Sequence, residues 1–156
     1  MHRKFVISDL HLGHTNMALH RGFTSVEEHD DYIISKWNSV VNKNDTVYIL
    51  GDITMEKSRD YYKLALLKGI KKVILGNHDF PQHVPELLKY VNSVCSSYKE
   101  KNCILTHIPI HPFEMNRYRK NIHGHVHENT IDDDRYVNVS CEVIDYTPQL
   151  LNNYIL

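Results

Sequence analysis

The stretch ISDLHLGH, residues 7–14, ends a short apolar run and passes at once to an acid, two histidines and a glycine. Residues 4–8 favour a strand, and Asp9 and His11, which follow it, are costly to bury unless they are paired or hold a ligand. In α/β sheets, ligands bind beyond the carboxyl ends of the strands. The stretch therefore predicts a sheet whose strand ends carry a polar site.

Four further apolar runs also stop at an acid, an amide or an imidazole. They end in Gly51-Asp52, in Gly76-Asn77-His78-Asp79, in Thr106-His107 and in Gly124-His125-Val126-His127. The i, i+2 pairs in these endings point the same way on an extended backbone, and the glycines permit a positive φ and close backbone approach. We expect the five endings to converge on one site.

Between the endings, the pattern predicts alternating strands and helices. A capping box at Ser25 and Glu28 opens a helix that runs to about Val41, and Gly69 is expected to cap a second helix over residues 59–68. A short third helix is predicted over residues 85–91. The predicted strands are residues 4–8, 46–50, 71–75, a hairpin of 93–98 with 102–106, and then 120–123 and 136–140. The order is βαβ first and antiparallel β later.

Composition restricts the class of protein. The chain has 156 residues, 42% of them hydrophobic, and no linker that would divide it, so residues 1–156 are expected to form a single domain. A formal charge of −1, from 18 basic and 19 acidic residues, gives no dedicated nucleic-acid surface and no general attraction to a membrane. The first apolar run is too short for a secretory or membrane segment, so a cytoplasmic location is expected.

The cysteines and histidines point to different uses. Cys95, Cys103 and Cys141 form no CxxC pair and are expected to be free core or strand residues. The twelve histidines are many for a chain of this length. Asn138 and Ser140 alternate on the last predicted strand, and one of them could reach the site from below.

The residue types at the strand ends suit divalent metals. Carboxylates, imidazoles and a carboxamide without a thiolate fit Mn²⁺ first, with Fe²⁺, Ni²⁺ or Zn²⁺ as alternatives. Seven candidate ligands are too many for one ion and suit two ions about 3.5–4 Å apart that share a carboxylate. The candidates are Asp9, His11, Asp52, Asn77, His107, His125 and His127.

These five blocks, in this order over residues 5–127, resemble the complete signature of the calcineurin-like metallophosphoesterase superfamily. The sequence through Trp37-Asn38, including Arg21 and Phe23, is also similar to a compact subgroup often found in bacteria and their phages. The resemblance implies an α/β (α+β) fold, a four-layer αββα sandwich of two mixed β-sheets flanked by helices.

The resemblance also implies a role for each residue. The first metal would be held by Asp9, His11 and His127, the second by Asn77, His107 and His125, and both by Asp52. His78 would face the substrate phosphate and assist the leaving oxygen, and Asp79 would orient His78. The implied nucleophile is a metal-bound hydroxide, so no activated serine or cysteine is needed.

The substrate class is less specified. The short intervals between the blocks leave no room for a cap domain, and an open site with few cations favours a phosphodiester: a cyclic nucleotide, a short nucleic-acid end or a model aryl diester. A phosphomonoesterase or dinucleotide hydrolase is the alternative. A non-catalytic binding scaffold is less favoured because such relatives usually lack the residue at His78. The oligomeric state stays open.

Three residues are candidates for contact with the small phosphoester substrate. His14 could touch substrate or cap the loop that contains it. Arg21 and Arg117 could clamp phosphate oxygens, because a guanidinium donates to two oxygens at once, or could be ordinary surface charges.

Overall fold

The computed structural model describes residues 1–155, and within them nine strands form two mixed sheets. The strands are β1 (Lys4–Ile7), β2 (Thr46–Ile49), β3 (Ile70–Ile74), β4 (Ser93–Cys95), β5 (Tyr98–Glu100), β6 (Cys103–Leu105), β7 (Lys120–His123), β8 (Tyr136–Asn138) and β9 (Gln149–Leu150). The α-helices are α1 (Thr15–His20), α2 (Val26–Val40) and α3 (Val84–Leu87). Short 3-10 helices cover Ser58–Leu66, Pro81–His83, Pro112–Asn116, Cys141–Val143 and Leu151–Asn153.

The first sheet has the strand order β4-β3-β2-β1-β9, in which β1 to β4 are parallel and β9 is antiparallel. Alternation along β1 divides its side chains between two cores. Phe5 and Ile7 pack with Ile33 and Trp37 of α2, and Val6 faces the second sheet. Burial on both faces explains why β1 and β2 read as continuous apolar runs.

The second sheet has the order β5-β6-β7-β8 and packs on the first through a shared core. Tyr48 and Leu50 meet Leu105, Ile122 and Val139 there. On the outer side of this sheet lies the segment that leads into Pro112–Asn116, fixed by hydrogen bonds from Ile110 N to Asn121 Oδ1 and from Tyr136 Oη to Ile110 O. Two mixed sheets flanked by helices confirm the predicted fold class.

The expected hairpin over residues 93–106 is wrong in its first strand. Residues 93–98 do not form one strand: β4 joins the first sheet beside β3, and β5 pairs antiparallel with β6 in the second. The chain changes sheets at Ser96 and Ser97. The later strands are also mostly parallel, because residues 106–119 and 124–135 are long crossover connections instead of tight turns.

The helices differ from expectation in their details. Residues 59–68 were expected to be α-helical but form the 3-10 helix Ser58–Leu66. Gly69 was expected to cap this helix, but Leu67 is the C-cap residue, and Gly69, with φ of 95°, lies two residues after it. The predicted helix over 85–91 shortens to α3 and the turns after it. The sequence did not predict α1, because His14 is an uncommon N-cap residue. Among the described residues, no helix combines the length and apolar character that crossing a bilayer requires.

Candidate metal centre

The polar loops after the strands are joined by main-chain hydrogen bonds. The amide of Asp9 donates to Gly51 O at 3.1 Å, and that of His11 donates to Asp52 O at 3.0 Å. On the second sheet, Gly124 N donates to His107 O at 2.9 Å. The strand ends therefore do converge, and their loops form one interlocked surface.

Five of the seven candidate ligands have a left-handed backbone. A positive φ is uncommon for residues other than glycine, and such conformations persist where the surrounding structure enforces them. The values are 60° at Asp9, 49° at His11, 54° at Asp52, 72° at His125 and 52° at His127. The local strain thus lies in the residues that would bind the metal.

The glycines before these residues were expected to supply the positive φ, and only Gly51, with φ of 96°, does so. Gly76 and Gly124 serve close approach instead. A Cβ at Gly76 would collide with the Asp52 carboxylate, and a Cβ at Gly124 would collide with Ser8 Oγ and Asp9 Oδ2. Both glycines allow a carboxylate to lie directly against the main chain.

The two carboxylate oxygens of Asp9 have different environments. Oδ2 accepts hydrogen bonds from His125 N at 2.9 Å, Ser8 Oγ at 2.7 Å and Ser140 Oγ at 3.2 Å, which confirms that Ser140 reaches the site. Asp9 Oδ1 and both ring nitrogens of His11 are buried and have no hydrogen-bond partner among residues 1–155. Buried polar atoms normally have a partner, so these orphaned atoms fit a metal ligand.

Asp9, His11 and His127 form the first of two clusters able to hold a metal ion, with ligand atoms within 4.8 Å of one another. Asp9 Oδ1 lies 3.7 Å from His11 Nε2 and 3.8 Å from His127 Nε2. A donor set of two imidazoles and one carboxylate suits a borderline divalent cation. We call this the first position.

Asp52 lies between this cluster and the other histidines. Its Oδ1 accepts a hydrogen bond from His78 N at 2.9 Å. Its Oδ2 is 3.8 Å from His11 Nε2 on one side and 3.3 Å from His107 Nε2 on the other. One oxygen therefore faces both groups of histidines, as a shared carboxylate must.

Asn77, His107 and His125 form the second position. Asn77 Oδ1 lies 2.9 Å from His107 Nε2 and 3.0 Å from His125 Nδ1. The His107 Nδ1 atom donates to Leu50 O at 2.6 Å, so the proton is held on that nitrogen and Nε2 turns towards the oxygens of Asn77 and Asp52. The second metal cluster, Asp9 with Asp52 and His107, links this position to the first.

The electrostatics of the site act differently on the carboxylates and on the individual histidines. Burial disfavours the charged forms of Asp9 and Asp52, but hydrogen bonds and the nearby histidines outweigh it and hold the pKa of each carboxyl below its usual range. Burial lowers the pKa of His11 and of His125. At His107 burial acts to lower the pKa, but the adjacent Asp52 carboxylate outweighs it and raises the pKa; at His127 the Glu142 carboxylate raises the pKa.

Asp79 was expected to orient His78, but it does not contact the His78 side chain. Its buried carboxylate accepts from Asp52 N at 2.7 Å, Ile53 N at 3.0 Å and Gly76 N at 2.8 Å, so both oxygens are occupied by main-chain donors. Burial raises the pKa of Asp79 to about 6, although these donors act against the rise. Asp79 fixes the two ligand loops to each other.

His78 has a different partner. Its Nδ1 lies 3.0 Å from Glu56 Oε1, and its side chain is 31% exposed, so the ring reaches the opening of the site. Glu56 has a φ of 59° in the loop after Asp52. Glu56 could not be predicted from the sequence, because an acid in a polar loop is ordinary.

Two expected substrate contacts are placed otherwise. The Arg21 side chain is fully buried and bonded to main-chain carbonyls and to Glu142, so it does not face the opening. Arg117 is 75% exposed and lies 3.6 Å from Glu114 within its own turn. His14 caps α1, its Nδ1 accepting from Met17 N at 3.3 Å, with its ring 6.3 Å from that of His11.

Glu142 is the main residue that the sequence analysis missed. Its Oε2 lies 2.6 Å from His127 Nδ1. The sequence does contain a pattern that points to it: Asn138, Ser140 and Glu142 are polar residues at i, i+2 spacing that begins at the end of β8. The prediction stopped at the second of them.

A groove of about 350 Å³ adjoins the second position. It is lined by Leu75, Gly76, Asn77, Ser96, Thr106, His107 and Ile108. A larger groove of about 570 Å³ lies at Arg3 and Leu150, at the opposite end of β1 from the site. Of these two grooves, the smaller one adjoins the candidate ligands.

The chain is similar in sequence to archaeal and phage proteins. Over 164 residues the chain is 34% identical to an uncharacterised protein of Methanocaldococcus jannaschii, covering 97% of this chain and 89% of that protein. Over 86 residues it is 42% identical to the gene 66 protein of Mycobacterium phage L5, covering 52% of this chain and 42% of the phage protein.

Solved structures share the fold. A protein of unknown function from Aquifex aeolicus superposes with a TM-score of 0.77 at 24% identity, covering 98% of this chain and 97% of that one. An archaeal phosphodiesterase superposes with a TM-score of 0.52 at 19% identity, covering 91% and 86%.

A family model bears directly on the site. The model for calcineurin-like phosphoesterases, a divalent-metal-dependent family, matches residues 2–154 and so includes every candidate ligand. With the orphaned ligand atoms of Asp9 and His11, this match accounts for the polar strand ends. The chain belongs to the calcineurin-like phosphoesterase family and is a hydrolase of phosphate esters.

Proposed function

We propose that this enzyme hydrolyses phosphodiesters and uses two divalent cations, manganese first. The observation that carries the proposal is the position of Asp52 Oδ2, within 3.8 Å of His11 Nε2 and 3.3 Å of His107 Nε2. A single oxygen facing two groups of histidines supports a shared carboxylate more than a single-ion site.

The residues fit two cations. Asp9, His11 and His127 would hold one, Asn77, His107 and His125 the other, and Asp52 both. The buried orphaned atoms of Asp9 and His11 support the first, and the bond from His107 Nδ1 to Leu50 O supports the second. When bound, such a pair of cations supplies an activated water and neutralises charge on the phosphoryl oxygens.

His78 performs the proton chemistry in this proposal. Its ring faces the opening, and Glu56 occupies Nδ1, so the imidazole is held with its other nitrogen, Nε2, free. In the imidazolium form Nε2 also carries a proton, and its transfer to the departing oxygen leaves a neutral imidazole protonated at Nδ1, a step that typically contributes about 10²- to 10⁴-fold. Asp79 acts through the main chain, by fixing the loops that carry Asp52 and Gly76.

The charge near the opening favours a diester. A phosphodiester carries one negative charge, whereas a monoester carries nearly two and is better held by added cationic side chains. Arg21 is buried and paired with Glu142, and Arg117 is paired with Glu114, so neither supplies a free clamp. The substrate charge would be met by the metal ions.

The test is a metal-reconstitution screen. Protein stripped by a chelator is titrated with Mn²⁺, Fe²⁺, Ni²⁺ or Zn²⁺ and assayed with aryl phosphate diesters, the matching monoesters, and 2′,3′- and 3′,5′-cyclic nucleotides. We expect activity to return with Mn²⁺ and the diester kcat/KM to exceed that for the monoester. A higher value for the monoester would favour the phosphomonoesterase alternative, and full activity with one ion bound would contradict the dinuclear site.

A further inference from the structure

A buried ion pair lies behind the first position. His127 Nδ1 is 2.6 Å from Glu142 Oε2, and Glu142 Oε1 accepts from Arg21 Nη2 at 2.6 Å. The Glu142 side chain is 10% exposed, and that of Arg21 is fully buried. Burying two charges is costly unless their geometry is specific, so we expect this ion pair to have a role at the site.

Arg21 joins the two halves of the first position. Besides Glu142, its guanidinium donates to Asp9 O at 2.6 Å and to Leu10 O at 3.2 Å. One side chain thus contacts the main chain of one ligand and the carboxylate that holds another ligand, His127. The loops after β1 and β7 are thereby fixed relative to each other.

The network continues away from the site. Arg21 Nη1 lies 2.9 Å from His29 Nε2, and His29 Nδ1 lies 2.7 Å from Asp30 Oδ1. Since Arg21 can only donate, His29 accepts at Nε2 and donates from Nδ1 to Asp30. Asp30 Oδ2 accepts from Gly13 N at 2.9 Å and from Lys63 Nζ. These contacts fix the position of Arg21 from behind.

The chemistry of His127 follows from this network. A carboxylate that accepts from Nδ1 holds the proton there, so that Nε2, which lies 3.8 Å from Asp9 Oδ1, is free to bind a metal. The second position has weaker support of this kind. There His107 donates to the neutral carbonyl of Leu50, and His125 Nδ1 faces Asn77.

We infer that Glu142 and Arg21 are positioning residues for the first position, and that their ion pair makes it the tighter of the two metal sites. The inference rests on the proposed two-metal site and deepens it. Loss of a partner of this kind typically costs about 10- to 100-fold in metal affinity.

The experiment measures metal binding without turnover. Chelator-stripped wild type, Glu142→Gln and Glu128→Gln are titrated with Mn²⁺ by calorimetry, and unfolding temperatures are recorded without metal. Glu128 is the matched control: it lies one residue after His127, its side chain is 58% exposed, and its substitution changes the net charge equally. The variants His127→Ala and His125→Ala assign each class of site.

We expect wild type to bind two ions unequally, with the tighter class lost in His127→Ala and the weaker class lost in His125→Ala. Glu142→Gln should weaken metal binding at the tighter class about 10- to 100-fold and leave the weaker class unchanged. The control Glu128→Gln should leave both classes unchanged. Equal weakening of both classes, or none, in a folded Glu142→Gln protein would overturn the inference.

A second variant guards against misfolding of the first. Arg21→Lys keeps the charge but has three N–H donors for the four acceptors that Arg21 contacts, which are Asp9 O, Leu10 O, His29 Nε2 and Glu142 Oε1. It should therefore weaken the same class, and unchanged binding in a folded protein would overturn the inference. The two proposals fail separately. Two unequal ions without diester hydrolysis would overturn the proposed function alone, and two ions of equal affinity would overturn this inference alone.

Discussion

The two proposed metal positions differ in the residues that contact their histidines. At the first, His127 rests on the buried charges of Glu142 and Arg21, and Asp9 Oδ2 accepts three hydrogen bonds. At the second, His107 rests on a main-chain carbonyl, and Asn77 lies exposed beside an open groove. We therefore expect the first position to be rigid and to retain its ion, and the second position to be open and to contact the substrate.

The largest effect is expected from the residue shared by both positions. Asp52→Asn removes one anionic oxygen that faces His11 and His107, so both ions should be weakened together and kcat/KM should fall by at least about 10³-fold, about 4 kcal/mol. Manganese titration and diester turnover measure this. Asp31→Asn, an exposed change on α2, is the control, and a Asp52→Asn protein with full metal content would contradict the shared role.

Next in size is His78, which belongs to neither position. His78→Ala should retain both ions and lower kcat about 10²- to 10⁴-fold for alkoxide leaving groups, with a smaller loss for nitrophenolate, which needs no proton. Glu56→Gln should show the same leaving-group dependence with a smaller loss, because the ring remains. A loss of equal size for every leaving group would exclude His78 as the proton donor.

Substitutions at Gly76 and Gly124, where a carboxylate lies against the main chain, test the two positions by steric displacement. Gly124→Ala should weaken the first position by displacing Asp9, and Gly76→Ala should weaken both by displacing Asp52. Overpacking of this kind typically costs about 1–3 kcal/mol, measurable by thermal unfolding. Gly22→Ala is the control for backbone strain without a clash, since Gly22 has a φ of 88° and a Cβ there meets nothing within 4 Å, so this change should lower stability and leave metal affinity unchanged. Equal metal affinities in all three variants would contradict this reading.

The smallest effect is expected at Arg117. The side chain is exposed and pairs with Glu114 in its own turn, and surface pairs of this kind contribute about 0–1 kcal/mol. Arg117→Ala should change diester kcat/KM by less than about 2-fold, which is within that range. A larger rise in KM would restore Arg117 as a phosphate contact.

Local patterns predicted the sheets well where burial is strong. The strands β1, β2 and β7 form close to where the sequence predicts them, and each is followed by candidate ligands. The prediction holds there because both faces of these strands are buried. Residues 93–98 were misread because a strand that changes sheets has the same local pattern as one that does not. The sheet that a strand joins is decided by its pairing with segments that are distant in the sequence.

The contacts behind the ligands were the least predictable part of the site. Arg21 and Glu142 are 121 positions apart in sequence, and no spacing rule connects them. Asp79 was expected to orient His78, but its neighbours in sequence do not reveal that three main-chain amides occupy it. Residue types predict chemistry, whereas partners depend on the fold.

The ligands are also distributed over both sheets. Asp9, His11, Asp52 and Asn77 follow strands of the first sheet, and His107, His125 and His127 follow strands of the second. Each proposed ion would thus act as a crosslink between the sheets, and binding at about 100 times Kd would add about 2.7 kcal/mol to the free energy of unfolding. Chelation should therefore loosen the sandwich at its catalytic edge and expose it there to proteolysis.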